Sequence, residues 1–509
     1  MNRIRRLFNR GNGGLLGHWP ALWLILGLLL ALGLTGCGKG GESSDAGNGE
    51  LSIALTDAEG DFVSYTVDVV SLTLTKANGT VVQTLPLKTR IDFAQYTDMT
   101  EFLTIATIPA GVYVKGSMVL DYNNAEILVE NAAGEPVKVD PGAIKDTDGN
   151  VVGRMSLSVA LEGKSHLSIV RGVPSHLNLD FDLKASHAVS FSDGTPVITV
   201  QPYLLADVDV VHDKPHRVRG PLKEVQLDAA KFQVYVRPFA HRIMSNAQAH
   251  FGVLNVHTGG ETIFEIDGTT YQGADGLALL ADVAKYTAVV VIGDVKHHPR
   301  RFDAKQVYAG SGVPGGSMDV TLGSVVARSG DVLTVKGMTF LRNNGSITFN
   351  DTVQVSLADS TTVLKALHMG TFAKNDISVG QFVSVFGSIG GSSNARTLDA
   401  ANAYARMEVS HLRAMRVDAG VGPAYPFVVN VSRINGRDIT QYDFTGTGTD
   451  AANDAVADFY EVNTGALDVS AIANNAIVRV RGHVTPFGSA PADFDAMTVI
   501  DLPDASAGN

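Results

Sequence analysis

The amino-acid sequence predicts an all-β fold, with an N-terminal β-sandwich followed by three small OB-like β-barrel repeats. Apolar residues alternate with polar ones, as at Leu177, Leu179 and Phe181, and this period of two is typical of strands with one buried face. Turn signals such as Asn78-Gly79 recur between short apolar runs. After about residue 212, one pattern occurs three times, which indicates repeated domains.

The first segment of the chain has the parts of a secretory signal peptide. A basic stretch with four arginines is followed by an apolar run that ends at Cys37, the single cysteine of 509 residues. The end of this run resembles the lipobox of bacterial lipoproteins, in which the cysteine is acylated with diacylglycerol and the chain is cut before it. The lipobox positions are Leu34, Thr35, Gly36 and Cys37.

This resemblance implies a lipoprotein signal peptide over residues 1–36 and a mature chain anchored in a membrane through Cys37, outside the cytoplasm. An aspartate after the cysteine would indicate retention in the inner membrane, so Gly38 at that position favours the bacterial outer membrane. The face of that membrane, periplasmic or external, stays open. An uncleaved transmembrane anchor from Ala21 to Leu34 is the alternative, since that stretch with its flanks approaches the length that spans a bilayer.

The mature chain is expected to be strongly acidic. Removing the four arginines of residues 1–36 from the 40 basic residues leaves 36, against 52 acidic residues, for a formal charge of −16. A nucleic-acid partner is excluded on this basis, because phosphates need a basic face. Residues 37–49 combine glycine, serine and acidic residues with few apolar side chains, which predicts a flexible tether.

A β-sandwich is predicted over residues 50–212, where short alternating runs are separated by frequent turns. This region resembles a bacterial lipoprotein domain catalogued as domain of unknown function 4382. The matching stretches are Leu55 to Ala58 with Gly60 and Asp61, Ile108 to Tyr113, Leu179 to Asp182, and Val200 to Pro202. The resemblance implies a fold and a location, and it brings no established activity.

The pattern that occurs three times after the sandwich consists of a glycine that closes an apolar run and a later Asp-Ala pair. Successive aspartates of these pairs are 96 residues apart. The glycines are Gly293, Gly387 and Gly482, and the aspartates are Asp303, Asp399 and Asp495. The pattern predicts barrel repeats over 216–308, 319–407 and 408–502, with a linker over 309–318 and a tail over 503–509.

Each repeat is predicted to open with a hairpin and to contain five or six short strands, which is typical of a small Greek-key barrel of the OB type. A helix is expected in the first repeat from Leu277 to Lys285. The repeats resemble an extracytoplasmic family, domain of unknown function 5666, most clearly through Gly323 to Val325 and Val383 to Gly387.

The chemistry-bearing motifs of the sequence do not indicate an enzyme. Signatures of common hydrolases and metalloproteases, such as Gly-x-Ser-x-Gly and His-Glu-x-x-His, are absent. Carboxylates offer a possible calcium site, since calcium prefers hard oxygen ligands. The candidate ligands are Asp57, Glu59 and Asp61 in one loop, and Asp146 and Asp148 in another. The second loop lacks the later glutamate of an EF-hand, so a turn shaped by aspartate is the favoured interpretation. No other cofactor is expected.

A basic loop interrupts the acidic sequence at residues 297–301. In an OB barrel it would fall between strands 4 and 5, one of the two loops that frame the ligand groove. The candidate ligand-binding residues are His297, His298, Arg300 and Arg301. Their charge suits an anionic envelope ligand, and a solvated hairpin tip is the alternative interpretation.

Together these features predict a lipid-anchored cell-envelope protein without enzymatic activity, which acts as a binding or scaffolding module. A tandem array of domains multiplies weak contacts through effective concentration, so an envelope polysaccharide or a protein is the expected partner. Two alternatives stay open: an enzyme that processes envelope polymers with dispersed carboxylates, and a purely structural surface spacer.

Overall fold

The computed structural model describes residues 47–57, 62–96, 99–131, 136–161, 166–201, 203–208, 214–237, 250–297, 299–314, 318–341, 347–348, 352–392, 395–417 and 427–502. All of them belong to one compact unit, Gly47–Asn509, which contains its own hydrophobic cores. The predicted signal peptide, the lipobox with Cys37, the alternative anchor and the tail lie outside the described residues. Within the described ranges, no helix has the length and apolar character required to cross a bilayer.

The N-terminal domain is a β-sandwich. Its elements are β1 (Asn48–Thr56), β2 (Phe62–Lys76), β3 (Val81–Gln83), β4 (Thr89–Asp92), β5 (Thr100–Pro109), β6 (Gly111–Glu130), β7 (Pro136–Lys138), β8 (Ile144–Lys145), β9 (Arg154–Ala160), β10 (Leu167–Ile169), β11 (Ser175–Asp180), the short helix α1 (Leu183–Ser186), β12 (His187–Ser192), β13 (Thr195–Val200) and β14 (Leu205–Asp207). One sheet has the order β14-β11-β1-β5, and the other has β10-β6-β2-β3 with β4 beside β2 and with β7 and β9 beside β6. A small third sheet has the order β12-β13-β8.

Alternation along the strands builds the core of the sandwich. Leu51 and Ile53 of β1 are fully buried in one hydrophobic cluster with β2. On β11, however, both faces are buried, and His176 is inaccessible to solvent. The expectation of one wet face is wrong for this strand, because the His176 ring packs against Phe102 and against His216 of the next domain.

The sandwich continues into the first repeat without a break in hydrogen bonding. Strand β15 (His216–Gln226) pairs in parallel with β5, with Arg217 opposite Glu101. The largest hydrophobic cluster likewise contains residues of both domains. At the other end of the sandwich, Asn48 and Gly49 of the predicted tether pair with β5, so they begin the first strand.

The first repeat contains seven strands, five of which close into a barrel. Its elements are β15, β16 (Lys231–Tyr235), β17 (Val253–His257), β18 (Ile263–Ile266), β19 (Thr269–Gln272), the helix α2 (Gly273–Asp282), β20 (Ala288–His297) and β21 (Arg300–Ala309). Pairing follows β15-β16-β17-β21-β20 and returns to β15, with β17 and β21 parallel. This is a small barrel of the OB type. The helix begins at Gly273, four residues before the predicted start, and ends at Asp282.

The second and third repeats close in the same order. The second contains β22 (Asp319–Ser329), β23 (Val332–Leu341), β24 (Ile347–Thr348), β25 (Val353–Ser356), β26 (Thr362–Lys365), β27 (Phe382–Ser392), β28 (Ala395–Asp399) and β29 (Tyr404–Met407). The third contains β30 (Ser410–Val417), β31 (Phe427–Ile434), β32 (Arg437–Asp438), β33 (Tyr460–Asn463), β34 (Ile477–Val484) and β35 (Phe494–Leu502). The circuits β22-β23-β25-β28-β27 and β30-β31-β33-β35-β34 each return to their first strand. The all-β prediction is therefore confirmed.

Short 3-10 turns complete the secondary structure of the described residues. They are Phe93–Tyr96, Pro141–Ala143, Leu227–Ala229, Gly310–Gly312, Lys374–Asp376, Ile439–Gln441 and Ala457–Phe459. Because i to i+3 hydrogen bonds have poor geometry, such turns stay short. The turn Phe93–Tyr96 also contributes Phe93, Ala94 and Tyr96 to the core of the sandwich.

The repeated glycines and aspartates contact each other in all three barrels. The fourth barrel strand passes so close to the fifth that a Cβ atom on Gly387 would lie 2.1 Å from the carbonyl oxygen of Asp399. The equivalent distances are 2.1 Å for Gly293 with Asp303 and 2.0 Å for Gly482 with Asp495. The repeated pattern therefore marks a place where these two strands approach each other closely, and a glycine leaves the room that the neighbouring backbone needs.

The four domains form a ring in which the last domain returns to the first. Glu130 at the end of β6 accepts hydrogen bonds from Arg437 Nη1 and from Gln441 Nε2, each at 3.1 Å, and both donors belong to the third barrel. Gln441 in turn accepts a hydrogen bond from Lys336 Nζ of the second barrel at 2.8 Å. The tandem array expected from the sequence is thus closed on itself rather than extended.

The described part of the predicted linker 309–318 is packed between the first two barrels. A 3-10 turn spans Gly310–Gly312, and Val313 is 2% exposed. The carbonyl oxygen of Gly312 accepts a hydrogen bond from Arg406 Nη2 at 2.8 Å. The junction is therefore held by burial and by hydrogen bonding at these positions.

The half-buried ring of His187 is expected to make the stability of the sandwich depend on pH. Its Nδ1 atom lies 2.8 Å from the carbonyl oxygen of Leu183, and its Nε2 atom lies 2.6 Å from the hydroxyl of Tyr65. Burial lowers the pKa of His187 from 6.5 to about 4. Below pH 6.5 the unfolded chain binds a proton that the folded chain does not, so stability falls by up to about 3 kcal/mol as the pH drops to about 4.

Urea unfolding at about pH 7.5 and about pH 4.5 measures this effect. His187→Phe removes the titrating group, while Tyr65 keeps its hydrogen bond to the hydroxyl of Tyr122 at 2.9 Å. We expect this variant to lose less stability than the wild type between the two pH values. His166→Gln changes an exposed histidine of the same domain and serves as the control. Equal losses in the wild type and in His187→Phe would contradict the prediction.

Candidate anion-binding cavity

A cavity of about 1030 Å³ lies in the middle of the ring and is lined by residues of all four domains. Small-molecule sites usually have volumes of roughly 300–1,000 Å³, so this cavity is at the upper end of that range. Each domain contributes side chains from the ends or outer faces of its strands. The cavity therefore exists only because the ring closes.

Alternation along the barrel strands decides which side chains reach the cavity. On β15, Val218 is fully buried in the first barrel, whereas Arg217 and Arg219 on either side of it line the cavity. On β34, Val480 is buried in the third barrel, and the next residue, Arg481, lines the cavity. Because successive side chains point to opposite faces of a strand, each barrel presents an outer face of its first and fourth strands.

The lining of the cavity is strongly cationic in an acidic protein. Among the described residues, nine lysines and arginines line it against three acidic residues. The cations are Arg217, Arg219, Arg237, Lys305, Lys336, Arg406, Arg433, Arg437 and Arg481, and the acids are Glu130, Glu408 and Asp438. Glu101, Glu265 and Asp294 lie behind the lining and pair with some of these cations. The whole chain, in contrast, has a net charge of −12.

Glu101 holds two of the arginines at the sandwich side of the cavity. Its buried carboxylate lies 2.9 Å from Arg219 Nε and also pairs with Arg217 Nε. Burial and the neighbouring Arg219 lower the pKa of Arg217, against the opposing effect of Glu101. The Nη2 atom of Arg217 is buried and has no hydrogen-bond partner among the described residues. Two guanidinium groups therefore lie against one carboxylate at this side of the cavity.

A second buried ion pair joins the first two barrels at the wall of the cavity. Arg406 Nε of β29 lies 2.7 Å from Glu265 Oε2 of β18, and the two side chains are 1% and 2% exposed. The guanidinium carbon also lies 3.9 Å from the centre of the Tyr308 ring. Burial by itself lowers the pKa of Arg406. The carboxylates of Glu265 and Glu408 have a larger combined effect in the other direction, so the pKa lies above its ordinary value. Arg406 therefore links the two barrels and also places a positive charge in the cavity wall.

The third barrel contributes a row of basic side chains across neighbouring strands. His411 of β30 lies opposite Arg481 of β34, and Arg433 lies on β31, the other neighbour of β30. All three residues line the cavity. Arg433 lies opposite Arg413, two positions along β30 from His411, so the row runs diagonally across the three strands.

The first predicted calcium loop begins with a buried carboxyl group that is not available to a cation from solvent. Asp57 is fully buried, and its Oδ1 accepts a hydrogen bond from the Leu183 N–H at 2.9 Å. Burial, as the main cause, raises the pKa of Asp57 well above its ordinary value. Lys214 Nζ lies beside it, 2.9 Å from Thr56 Oγ1. The other two candidates of this loop, Glu59 and Asp61, lie outside the described residues.

In the second predicted calcium loop, Asp146 shapes a turn. Its Oδ1 accepts hydrogen bonds from the N–H groups of Asp148 and Asn150, each at 2.9 Å. The bond from Asn150 is the main cause that lowers the pKa of Asp146. The described ranges contain no group of three or more histidine, cysteine, aspartate or glutamate residues arranged to hold a metal. Calcium binding stays a prediction, and these contacts fit the turn interpretation.

The predicted basic loop is the tip of the β20-β21 hairpin, where His297 pairs with Arg300. It connects the fourth and fifth strands of the first barrel. Arg301 Nε forms an ion pair with Asp303 Oδ1 at 2.7 Å on the surface. Arg300 and Arg301 are not part of the cavity lining. Of the remaining candidates, His298 and the side chain of His297 lie outside the described part of the structure.

The cavity cations could not be recognised in the sequence because they are spread over more than 260 positions, from Arg217 to Arg481. The one available signal was arginine on alternate positions of apolar strands, as in Arg217-Val218-Arg219 and Arg479-Val480-Arg481. The same pattern is typical of any strand with a solvated face. Only the closure of the ring turns these faces toward one another.

Comparison with known proteins gives a family match for the N-terminal domain. The family model described as "Domain of unknown function (DUF4382)" matches residues 48–202, which supports the resemblance found in the sequence. The resemblance of the repeats to domain of unknown function 5666 and the lipoprotein assignment stay predictions. A search of curated protein sequences finds no significant match.

Three solved structures show weak similarity. Drosophila Unr CSD456 has 8% sequence identity and a TM-score of 0.13, over 58% of this chain and 98% of that chain. A proposed cell adhesion protein from Parabacteroides distasonis has 10% identity and a TM-score of 0.14, over 70% and 99%. The pilus adhesin SpaC from Lactobacillus rhamnosus has 9% identity and a TM-score of 0.09, over 87% and 37%. With TM-scores this low, neither fold nor function is inferred from these structures.

Proposed function

We propose that this protein is a non-catalytic, lipid-anchored binding protein of the bacterial cell envelope, and that it takes an anion into its central cavity. The observation that carries the proposal is the concentration of nine lysines and arginines around one cavity in a chain with a net charge of −12. Like charges repel, so gathering them at one place costs stability unless acidic residues or a ligand of opposite charge offset the repulsion.

The arginines are held in position before a ligand arrives. Glu101 fixes the side chains of Arg217 and Arg219, and Glu130 fixes that of Arg437. A site that is ordered in advance loses less conformational freedom when it binds. The planar guanidinium group also matches the geometry of carboxylate and phosphate groups, with which it forms two parallel hydrogen bonds.

The acids of the cavity support a binding role rather than a catalytic one. Glu408 Oε1 accepts a hydrogen bond from Ser384 Oγ at 2.7 Å and lies 3.4 Å from Arg406 Nη1. Glu130 is engaged by Arg437 and Gln441. Carboxylates held in this way position neighbouring side chains. The envelope location follows from the lipobox, and mass spectrometry of the native protein should find a diacylated Cys37 at the amino terminus.

Substitutions that remove positive charge from the third barrel should weaken anion binding. Replacing Arg433 and Arg481 together by glutamine removes two cavity cations from half-buried, outward-facing positions. We expect the affinity of the segment 47–509 for inorganic pyrophosphate to fall about tenfold or more, because each hydrogen bond to a charged group contributes about 1.5–3 kcal/mol. Isothermal titration calorimetry measures the affinity, and raising the salt concentration should weaken it.

The double variant Arg154→Gln with Arg171→Gln is the control, since both arginines are exposed on the sandwich and neither lines the cavity. Its affinity should equal that of the wild type. The variant Arg300→Gln with Arg301→Gln distinguishes the cavity from the hairpin tip. Loss of pyrophosphate binding in the hairpin variant and not in the cavity variant would overturn the proposal, as would a wild-type protein that binds no anion at all.

A further inference from the structure

The cavity has an apolar wall beside its arginines. Ala288, Val290 and Ile292 occupy alternate positions of β20, on the outer face of the first barrel, and all of them line the cavity. With Tyr308 and Val313 they form a hydrophobic cluster that is separate from the core of the barrel. The inward-facing neighbour Val291 belongs to that core and does not line the cavity. The first barrel thus fills its interior with one set of side chains and presents a second apolar set to the cavity.

The other domains extend this apolar wall. Leu322 and Phe382 of the second barrel line the cavity, and Phe62 and Phe191 do so from the sandwich. Phe191 is 42% exposed at its position on β12. An apolar surface that several domains build around one cavity typically marks a binding site, because isolated exposed apolar residues do not gather in this way.

The apolar and the cationic surfaces are interleaved. On the paired strands β15 and β20, Arg217 lies opposite Ile292, and Arg219 lies opposite Val290. Side chains directly opposite each other on an antiparallel pair have Cβ atoms about 4.5–5.5 Å apart. A ligand that reaches one of these arginines therefore also covers apolar surface.

Two simpler classes of ligand fit this wall poorly. A small hydrophilic anion would pair with the arginines and leave the partly exposed side chains of Ala288 and Ile292 in water. An uncharged apolar molecule would cover those side chains and remove water from the guanidinium groups without replacing its hydrogen bonds, which is unfavourable. A ligand with both a negative head group and an apolar chain satisfies both surfaces.

We propose that the cavity binds a single-chain anionic amphiphile, with its phosphate or carboxylate head group at the arginines of β15 and its apolar chain along the outer face of β20. This inference rests on the proposed function and narrows it to one class of ligand. The cavity volume of about 1030 Å³ accommodates a molecule of this kind.

Affinity should rise with the length of the apolar chain. Titrating the segment 47–509 with inorganic phosphate, butyl phosphate and octyl phosphate, each below its micelle concentration, separates the head group from the chain. Each buried methylene adds about fourfold in affinity, so octyl phosphate should bind up to about 200-fold more tightly than butyl phosphate. Octyl glucoside has the same chain without the negative charge and should bind far more weakly than octyl phosphate.

A substitution in the apolar wall tests the location of the chain. Ile292→Asn should reduce the affinity for octyl phosphate by about tenfold or more and reduce the affinity for inorganic phosphate far less. Val332→Asn changes an exposed valine of the second barrel outside the cavity lining, and it should alter neither affinity. Circular dichroism of both variants shows whether they fold.

The outcomes separate this inference from the function on which it rests. Equal affinities for butyl and octyl phosphate would overturn the amphiphile and leave an anion-binding cavity. Equal affinities for octyl phosphate and octyl glucoside would overturn both, since the arginines would then contribute nothing. An undiminished affinity of Ile292→Asn for octyl phosphate would place the chain elsewhere and contradict the proposed pose.

Discussion

Replacing Arg406 by methionine is expected to lower the free energy of unfolding by about 3–5 kcal/mol. The substitution leaves the carboxylate of Glu265, which is 2% exposed, without its partner at the interface between the first two barrels. It also removes the hydrogen bond to the Gly312 carbonyl oxygen and the contact with the Tyr308 ring. A buried charge without a partner costs far more than the pair itself contributes, and this asymmetry makes the effect large.

Urea unfolding followed by circular dichroism measures the loss. Because the penalty comes from the stranded carboxylate, the double variant Arg406→Met with Glu265→Gln should recover a large part of it. Arg406→Lys should fall between the wild type and Arg406→Met, since an ammonium group keeps the charge and cannot form the two-point contact of a guanidinium. A loss below about 1 kcal/mol in Arg406→Met would contradict the role of this ion pair.

Replacing Gly387 by alanine is expected to destabilise the second barrel by about 3 kcal/mol or more. The new Cβ atom would lie 2.1 Å from the Asp399 carbonyl oxygen and 2.9 Å from the Cδ2 atom of Leu398, which is fully buried. One close neighbour is backbone and the other belongs to the core, so the fourth and fifth strands would have to separate. That movement breaks the hydrogen bonds that close the barrel.

Gly260→Ala is the matched control for this prediction, because nothing lies within 4 Å of a Cβ atom at that position. Its effect should stay within about 0.5 kcal/mol. The equivalent variants Gly293→Ala and Gly482→Ala should behave like Gly387→Ala, since their Cβ atoms would meet the carbonyl oxygens of Asp303 and Asp495. Urea midpoints for the four variants check the set. If Gly387→Ala unfolds at the same urea concentration as Gly260→Ala, the prediction is wrong, and the close approach of the two strands does not require a glycine.

Local patterns in the sequence were sufficient to predict much of the fold. The period-two runs predicted the strands, and the spacing of Gly293, Gly387 and Gly482 predicted three repeated units. Both patterns reflect interactions between neighbouring residues or within one barrel, so they are visible along the chain. The helix of the first barrel was also expected, although it begins at Gly273 rather than Leu277, because apolar periodicity does not define the first turn.

The candidate site could not be predicted from such local patterns. A basic cluster at residues 297–301 is contiguous and therefore easy to notice, yet Arg300 and Arg301 lie outside the cavity lining. Arg217, Arg433 and Arg481 are each isolated in an apolar strand, and a strand with a solvated face has the same composition. Their common role depends on distances between domains, which no local pattern records.

His176 shows the same limit at a single position. Alternation on β11 predicts that it faces water, and the structure buries it completely. The reason is the adjacent barrel, whose β15 pairs with β5 and brings His216 against the His176 ring. A strand pattern identifies the two faces of a strand and cannot say what will later cover the second one.

The order of residues along the chain was sufficient to establish an all-β protein with an N-terminal sandwich, repeated units and an overall negative charge, because alternation, turn residues and composition act locally. Closure of the ring through Glu130 and Arg437, the burial of Arg406 against Glu265, and the meeting of arginines with the apolar face of β20 arise only in three dimensions. These contacts join residues as many as 307 positions apart, and the free energy that selects them comes from packing whole domains against one another.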